Sequence, residues 1–426
     1  MSDILSELRW RGLIQEETEG VDDYLDSRRV TLYNGFDPTG DSLHIGNLVP
    51  LLALARFQRM GHTPIALAGG GTALIGDPSG KSAERPLLSI EEIHANTENL
   101  RPQLAKLLDF EVKSNPAKLL NNIDWLQPLS MFDYLREVGK HFTVNYMMAK
   151  DSVKSRTERD QGISYTEFSY MLLQAYDFLH LQRTHGCTLQ TGGSDQWGNI
   201  TAGIELNRRA DAKKVHALAY PLITRADGTK FGKTASGESV WLDEKKTSPY
   251  KFYQFWYNVD DRDVVSYLKI FTWLSKEEID SLQHEMEQTP EARIPQKELA
   301  VSVTKMIHGE SGLAKAERAS AVLFGGDIEG LNADDISDIF SDVPRAKVTK
   351  SKLLTPDYYV TDLIMDTGLS SSKGEARRLI KNGGISINNN RIDDEKVLID
   401  LPMLVEGKYL VLRRGKREYR LVEVDD

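Results

Sequence analysis

The sequence of 426 residues contains one cysteine, Cys187, and no apolar run long enough to cross a bilayer. A single cysteine excludes an internal disulfide framework and a metal site built from cysteines. Residues 1–19 are acidic and amphipathic, unlike a secretory or transit peptide. These absences predict a cytoplasmic protein. We also assign no residue of this chain to a metal site.

The chain also lacks an overall excess of basic charge, since its formal net charge is −10. This argues against a uniformly basic nucleic-acid binder. Charge differs by region, however: residues 370–420 contain 12 Lys and Arg against 7 Asp and Glu. This local excess predicts an RNA-binding surface near the C-terminus.

The first informative stretch runs from residue 33 to residue 47. A short apolar strand over 30–36 leads through a polar turn to an apolar helix over 48–60, so that His44 and Asn47 stand where the helix begins. A helix N-terminus offers unpaired N–H groups and partial positive charge to an anion, most often phosphate. Gly46 has no side chain, so a phosphate could approach the backbone closely at this position. The alternative interpretation is a capped helix that follows a strand and has no ligand.

The second stretch is Lys230-Phe231-Gly232-Lys233-Thr234, which follows the turn-rich segment 225–229. Two lysines that flank a glycine form a cationic clamp suited to a polyphosphate, whose charge must be neutralised as it leaves. The same composition is also ordinary for a hairpin turn. The two stretches in this order indicate a nucleotide-binding site more specifically than either stretch alone.

Together they resemble the two signatures of class I aminoacyl-tRNA synthetases, HIGH and KMSKS. Segments 76–81, 142–150, 165–178 and 192–196 are similar to bacterial-type tyrosyl-tRNA synthetases in particular, and the resemblance covers essentially the whole chain. The chain departs from the signatures in two ways. Asn47 replaces the last His of the first, and Phe231-Gly232 with Thr234 replaces Met-Ser and the final Ser of the second. An amide still donates hydrogen bonds and both lysines are present, so we interpret these differences as variation.

The resemblance implies two groups of residues around ATP. The catalytic group is Thr39, His44, Asn47, Lys81, Arg85, Lys230, Lys233 and Thr234. The group that binds the nucleotide is Gly35, Asp37, Gly46, Gly192, Asp195 and again Lys233. From the residues alone, Asp195 after a strand and a glycine turn can accept from ribose hydroxyls or can cap the next helix.

A helix predicted over 165–181 carries Tyr170, Gln174 and Asp177 on one face, at i, i+4 and i+7. Polar groups on a buried face need partners, either a hydrogen-bond network of the core or a polar ligand. The resemblance implies that Tyr170 and Gln174 hold the ammonium of tyrosine, together with Asp77, and that Asp177 and Tyr33 meet the phenol. Gln196 would reach the carboxylate. Such a site rejects an analogue that lacks the hydroxyl, and this class of enzyme against phenylalanine is itself the known example.

We therefore expect an α/β protein whose Rossmann-like, parallel-sheet catalytic domain spans 1–247. A helical insertion over about 86–184 would form the contact of a homodimer, as the resemblance implies. An α-helical domain over 248–325, an acidic linker over 326–351 and a small α+β S4-like RNA-binding domain over 352–426 would follow.

Basic residues in three places are candidate tRNA contacts. They are Lys150, Lys154 and Arg156 in the insertion, Arg208 and Arg209 after the second glycine turn, and Lys373, Arg377, Arg378 and Lys381 on a predicted helix of the S4-like domain. The last four would share a face suited to phosphate, and Ser370 or Ser371 would cap their helix. Solvated charged faces remain the alternative for the first five.

The resulting hypothesis is a tyrosine–tRNA ligase that uses ATP with Mg²⁺ as its substrate complex and no tightly bound cofactor. Its partners would be tRNA(Tyr), L-tyrosine and a second copy of the chain, with no membrane. Two alternatives stay open. One is a tryptophanyl-tRNA synthetase, which Tyr33 and Asp177 argue against, and the other is a non-catalytic RNA-binding protein on a synthetase scaffold, which the intact His44, Lys230 and Lys233 argue against.

Overall fold

The computed structural model describes residues 3–77, 79, 88–150, 153, 154, 157, 162–229, 231–233, 237–323, 326, 328, 330–341, 343–415 and 418–425. The chain divides into two compact units. The first consists of Met1–Thr247 and Phe255–Ile307, and the second of Ser248–Gln254 and His308–Asp426. Within the described residues, no helix is both long and apolar enough to span a membrane.

The first unit is built on a largely parallel sheet. Its strands are β1 Glu16–Glu17, β2 Thr31–Phe36, β3 Thr63–Ala68, β4 Lys118–Asn121, β5 Cys187–Gly193 and β6 His216–Tyr220. Their order is β1-β6-β5-β2-β3-β4, and only β1 pairs antiparallel with its neighbour. The predicted α/β class with a Rossmann-like parallel sheet is confirmed.

The order of the strands fixes where a ligand can bind. From β2 the chain moves outward to β3 and β4, and it then returns to β5 on the other side of β2. Connections that leave in opposite directions open a crevice beyond the carboxyl ends of the two strands. The side chains of β3 are buried after its first residue, as expected of a strand covered on both faces.

Helices cover this sheet and continue beyond it. In chain order they are α1 Ile4–Trp10, α2 Val21–Asp26, α3 Leu48–Arg59, α4 Gly70–Ala73, α5 Ile90–Leu104, α6 Ile123–Leu126, α7 Met131–Asp133, α8 Val144–Met148, α9 Tyr165–His185, α10 Trp197–Asp211, α11 Pro249–Tyr257, α12 Asp261–Phe271, α13 Lys276–Gln288 and α14 Ile294–Leu323. Helices α11 and α14 contain residues of both units. Short 3₁₀ turns at Ile45–Asn47 and Ser194–Gln196 begin the connections into α3 and α10.

One strand lies where the sequence predicts only helix. The expected helical insertion over 86–184 contains β4, which pairs in parallel with β3 from Ile65 opposite Lys118. The four residues of β4 are all half-buried, so neither the alternation of a one-sided strand nor a long apolar run marks it in the sequence. Pairing with β3 decides its conformation.

The second unit contains a small mixed sheet. Its strands are β7 Arg345–Thr349, β8 Ile385–Ile387, β9 Asn390–Arg391, β10 Tyr409–Arg414 and β11 Glu418–Asp425, in the order β7-β11-β10-β8-β9. Its helices after α14 are α15 Ala333–Ile339, α16 Lys350–Leu353, α17 Val360–Asp366 and α18 Lys373–Lys381. The predicted small α+β domain is confirmed as a fold class.

Two expected segments look different in the structure. The acidic linker expected over 326–351 contains α15 and β7, and its Ile336 and Phe340 pack in one core cluster with Leu421. These apolar side chains are buried against the sheet, so the segment is part of the folded second unit. The helical domain expected over 248–325 is divided, because residues 255–307 belong to the first unit.

Candidate active site

A cavity of about 270 Å³ lies at the carboxyl ends of β2 and β5. It brings together most of the candidate residues for tyrosine and ATP that the structure describes. Those that line it are Tyr33, Gly35, Asp37, Thr39, His44, Asn47, Asp77, Tyr170, Gln174, Asp177, Gly192 and Gln196. Gly46, Asp195 and Lys233 are described but do not line it. Lys81, Arg85, Arg156, Lys230 and Thr234 lie outside the described residues.

One end of the cavity has a phenol and a carboxylate that are both buried. Tyr33 on β2 is 1% exposed, and among the described residues its hydroxyl has no hydrogen-bond partner. Burial, and then the charge of Asp177, raise the pKa of this phenol well above its ordinary value. The hydroxyl therefore keeps its proton, and a buried group of this kind needs a partner that a ligand can supply.

Asp177 on α9 is held by two N–H donors. Asn122 Nδ2 donates to Oδ2 at 3.0 Å, and Trp125 Nε1 donates to Oδ1 at 2.8 Å. Burial raises the pKa of Asp177 to about 7, although both hydrogen bonds act in the opposite direction. Asp177 is thus a fixed acceptor whose charge depends on pH near neutrality.

Sequence reasoning missed Asn122, Trp125 and Gln190. The first two lie directly after β4, in the region expected to be helical, and Asn122 also lines the cavity. Gln190 lies opposite Tyr33 in the pairing of β5 with β2, is 2% exposed, and its Oε1 has no partner among the described residues. The only available signal was polar residues directly after or within apolar segments, since strand register cannot be read from the sequence.

At another part of the cavity, α9 meets the turn after β2. The Tyr170 hydroxyl donates to Asp37 Oδ2 at 3.1 Å, and Thr72 Oγ1 donates to Asp37 Oδ1 at 3.2 Å. Asp37, a candidate for ATP, is thereby placed beside the candidate ammonium site. A side chain at Gly69 would lie 2.0 Å from Asp37 Oδ1, which explains why a glycine follows β3.

Asp77 and Gln196 form a second polar pair in the cavity. Gln196 Nε2 donates to Asp77 Oδ2 at 2.7 Å, and Asn199 Nδ2 donates to Gln196 Oε1 at 3.2 Å. The Ser194–Gln196 turn after β5 therefore presents its amide beside the carboxylate that follows α4. An amide and a carboxylate together can bind a zwitterion through both of its charged ends.

The first signature forms a reciprocal cap on the 3₁₀ turn Ile45–Asn47, which leads into α3. The backbone N–H of His44 donates to Asn47 Oδ1 at 3.0 Å, and the backbone N–H of Gly46 donates to His44 Nδ1 at 3.0 Å. Because Nδ1 accepts, a neutral imidazole carries its proton on Nε2. A Cβ at Gly46 would lie 2.8 Å from His44 Cε1, so Gly46 is needed to accommodate the imidazole itself.

The second signature is joined to the first by backbone pairing. The N–H of Ile45 donates to the carbonyl of Val240 at 3.0 Å, and the N–H of Val240 donates to the carbonyl of Gly232 at 3.1 Å. Lys233 pairs with Ser239 in a β-bridge, and its side chain is exposed. The segment 240–242 is therefore the structural connection between the two signatures.

Glycines also shape the turn after β5. Gly192 lines the cavity, and a Cβ at Gly193 would lie 2.5 Å from Asp195 Oδ1. The Asp195 side chain is exposed at the start of the 3₁₀ turn. An exposed carboxylate at this position remains compatible with ribose hydroxyls.

The basic candidates of the first unit differ in their contacts. Lys150 Nζ donates to Thr201 Oγ1 at 2.9 Å, while Lys154 is exposed. Arg208 and Arg209 both form ion pairs with Glu205 on α10. Within the described residues, no group of three or more His, Cys, Asp or Glu could hold a metal ion.

In the second unit, α18 carries the remaining candidates. Arg377, Arg378 and Lys381 are exposed, and Arg377 lies 3.5 Å from Glu395. Lys373 forms an ion pair with Asp362. Ser372 caps this helix by accepting from the backbone N–H of Glu375, so the expected cap at Ser370 or Ser371 is wrong by at least one residue.

Two known protein-family models match the sequence of this chain. The family described as "tRNA synthetases class I (W and Y)" matches residues 25–325, and the "Tyrosine–tRNA ligase SYY-like C-terminal domain" matches residues 335–422. Fold and site therefore define a class I tRNA synthetase of the tryptophan and tyrosine group.

Similar proteins narrow the family further. The tyrosine–tRNA ligase of Roseiflexus castenholzii is 58% identical over 424 residues, covering 100% of both chains. Tyrosine–tRNA ligase 1 of Bacillus subtilis is 51% identical over 426 residues, covering 99% of each. The chain belongs to the tyrosine–tRNA ligase family, which confirms the resemblance seen in the sequence.

A solved structure supports the fold. The C-terminally truncated mitochondrial tyrosyl-tRNA synthetase of Aspergillus nidulans matches with a TM-score of 0.69 and 29% identity, covering 76% of this chain and 95% of that one. A tryptophanyl-tRNA synthetase of Encephalitozoon cuniculi matches with a TM-score of 0.52 at 14% identity, which shows the shared fold alone.

Proposed function

We propose that this chain activates L-tyrosine with ATP and transfers the tyrosyl group to the 3′ end of tRNA(Tyr). The observation that carries the substrate choice is the buried pair of Tyr33 and Asp177 in the cavity. A phenol hydroxyl can accept from Tyr33 and donate to Asp177 at the same time. An indole N–H can only donate and phenylalanine has no hydroxyl, so tyrosine satisfies both groups best.

The first step forms tyrosyl-adenylate. An oxygen of the tyrosine carboxylate attacks the α-phosphorus of Mg-ATP in line, a new O–P bond forms, and the bond to the β-phosphate breaks to release pyrophosphate. The carboxylate is already anionic, so no general base is needed and positioning with charge stabilisation carries the rate. Thr39, His44 and Lys233, with Lys81, Arg85, Lys230 and Thr234, are the proposed contacts to the phosphates.

Other residues would bind the tyrosine substrate and the ribose of ATP. Asp77, Tyr170 and Gln174 are the proposed ammonium ligands, and their places in the cavity support this role. Gln196 would meet the carboxylate, and Asp195 with Gly192 the ribose. In the second step, a terminal ribose hydroxyl of the tRNA attacks the tyrosyl carbonyl, an ester bond forms and AMP leaves.

The C-terminal unit is the proposed site of tRNA contact outside the active site. The exposed guanidinium and ammonium groups of Arg377, Arg378 and Lys381 on α18 suit the phosphates of an RNA backbone. Lys150, Lys154 and Arg156 are proposed contacts to the acceptor end. A cytoplasmic location would follow from this role in translation.

We also propose a homodimer. Helix α7 and the segment that follows it expose Met131 at 65%, Phe132 at 79% and Leu135 at 48%. Val144 on α8 is 64% exposed. Exposed apolar side chains close together in the chain are typical of a surface that another protein covers.

The test is ATP–pyrophosphate exchange by the purified chain, without tRNA, with tyrosine, phenylalanine or tryptophan. Exchange with tyrosine alone is expected. Exchange with tryptophan would favour a tryptophanyl-tRNA synthetase. Exchange with none of the three amino acids would favour a non-catalytic RNA-binding protein. Lys233→Ala is the matched active-site variant: adenylate formed at an undiminished rate would contradict the role given to Lys233.

A further inference from the structure

One face of α12 contacts the second signature and the segment that precedes it. Asp263, Tyr267 and Phe271 stand at i, i+4 and i+8, which places them on the same side of the helix. All three are buried, with exposures of 9%, 3% and 0%. A polar, an amphipathic and an apolar side chain on one buried face each need a different kind of partner.

The partners come from the segment that leads to the signature. Asp263 Oδ2 accepts from the backbone N–H of Ala226 at 3.1 Å, and the Tyr267 hydroxyl donates to the carbonyl of Thr224 at 3.3 Å. Both bonds fix main-chain atoms. They therefore set the position of the main chain where it enters the Arg225–Thr229 turn, at Thr224 and Ala226.

The apolar end of the face receives Phe231. Its ring stacks on Phe271 with centroids 5.1 Å apart at 18°, and meets Tyr267 edge-on at 5.1 Å. Trp256 and Phe255 complete the surrounding cluster at 5.8 and 5.7 Å. Phe231 stands two positions before Lys233, so this aromatic pocket anchors the segment that carries the lysine.

The far end of α12 is attached to the helix of the first signature. Arg56 on α3 donates through Nη2 to the carbonyls of Ile270 and Thr272, at 2.9 Å each. Arg11, the residue directly after α1, donates to the carbonyl of Lys269 at 2.6 Å. Cations at the carbonyl end of a helix are favourable, and here Arg56 joins α12 to α3, which begins directly after His44-Ile45-Gly46-Asn47.

We propose that Phe231 is a positioning residue for the formation of tyrosyl-adenylate. Its contacts with Tyr267 and Phe271 keep Lys233 at a fixed position relative to His44. The inference rests on the proposed function, because Lys233 acts on the phosphates only if the chain activates tyrosine. Phe231 touches no reacting atom. Its effect passes through the backbone of Gly232 and Lys233 and through the bond from Val240 to Gly232.

The test compares Phe231→Leu with Phe231→Met in the full chain. Leucine is too short to fill the aromatic pocket, whereas the long and flexible methionine side chain can. Single-turnover adenylate formation should fall on the order of 10- to 100-fold in the leucine variant, the scale expected when reacting groups are displaced by about an ångström. The methionine variant should keep most of the rate.

A second variant tests whether a loss of rate comes from the positioning of the signature or from a general loss of folding. Tyr267→Phe keeps the ring beside Phe231 and removes only the hydroxyl that donates to Thr224, so we expect a smaller loss, about 3- to 10-fold, from one hydrogen bond. Phe110→Leu, at a half-buried phenylalanine beside Arg101, is the matched control. Equilibrium dialysis with tyrosine should give an unchanged Kd for all four variants.

The outcomes separate this inference from the proposed function. If the parent chain forms no adenylate, the proposed function fails. If the parent is active and Phe231→Leu forms adenylate as fast as Phe110→Leu, the positioning role is overturned. A loss of tyrosine affinity equal to the loss of rate in Phe231→Leu would also overturn it, since the effect would then be on the whole unit.

Discussion

The indole N–H of Trp125 donates to Asp177 at 2.8 Å and so turns a buried carboxylate into an oriented acceptor. Trp125 also stacks on His180 with ring centroids 4.4 Å apart, which holds the indole in place. The carboxylate accepts a further bond from Asn122. Each oxygen of Asp177 thus accepts one hydrogen bond and can still accept another, an arrangement that suits the charged form better than the protonated one.

Tyrosine affinity should therefore depend on pH. The pKa of Asp177 is raised to about 7, so the free protein gains a proton there as the pH falls below neutrality. The protonated form offers the phenol a weaker acceptor, and the Kd for tyrosine should rise below pH 7, approaching tenfold per pH unit. Equilibrium dialysis between pH 5.5 and 8.5 measures it.

The Trp125→Phe variant tests whether the hydrogen bond from the indole lowers the pKa of Asp177. Loss of the indole N–H removes a bond that lowers the pKa of Asp177, so the midpoint should move to higher pH. Asp177→Asn is the control, because an amide does not titrate and its profile should be flat. A flat profile in the parent chain would contradict the prediction.

Gly46→Ala should disrupt the first signature. The new Cβ would lie 2.8 Å from His44 Cε1 and 2.9 Å from Nδ1, so the imidazole must move. Adenylate formation should fall on the order of 100-fold because His44 leaves its position. The Kd for tyrosine should not change. Gly374→Ala, where the Cβ has no neighbour closer than 4.0 Å, is the matched control and should behave like the parent.

Gly35→Ala tests the nucleotide site in a different way. Nothing lies within 4 Å of a Cβ at this position, so the empty protein accommodates the methyl group. Thermal unfolding should show little change, whereas the KM for ATP should rise by about tenfold if the nucleotide approaches the backbone here. An unchanged KM would remove Gly35 from the ATP site.

The tRNA step should depend on α18 and the activation step should not. Arg378→Ala with Lys381→Ala removes two exposed cations, so we expect the KM for tRNA to rise by about tenfold and the slope of log affinity against log salt to decrease by about two. Pyrophosphate exchange should be unchanged. Lys315→Ala, at an exposed lysine of the same unit, is the control, and an equal effect there would contradict a specific role for α18.

Self-association should depend on Phe132, whose side chain is 79% exposed. A glutamate at this position would carry a charge into the proposed dimer surface, where desolvation is costly. Sedimentation equilibrium should show a dimer for the parent and monomers for Phe132→Glu. Leu354→Glu, at a leucine that is 56% exposed, should remain dimeric. A monomeric parent would remove the dimer from the proposal.

The sequence by itself determined the local features of this protein. The two signatures, the strand and helix bounds around them, and the shared face of Tyr170, Gln174 and Asp177 follow from periodicity and spacing within one segment. Strand β2, for example, ends at the predicted Phe36, and helix α9 begins at the predicted Tyr165. Such features depend on neighbours in the chain, and those neighbours are visible in the sequence.

Tertiary structure alone decided which separate segments meet. Register places Gln190 opposite Tyr33, strand β4 brings Asn122 and Trp125 to Asp177, and Asp37 lies against Tyr170. None of these contacts has a local signal, because each partner lies 52 or more positions away along the chain and is selected by burial and pairing. The sequence therefore determined the two signatures and the polar helix face, and the packing decided how the buried acceptor and the second signature are held.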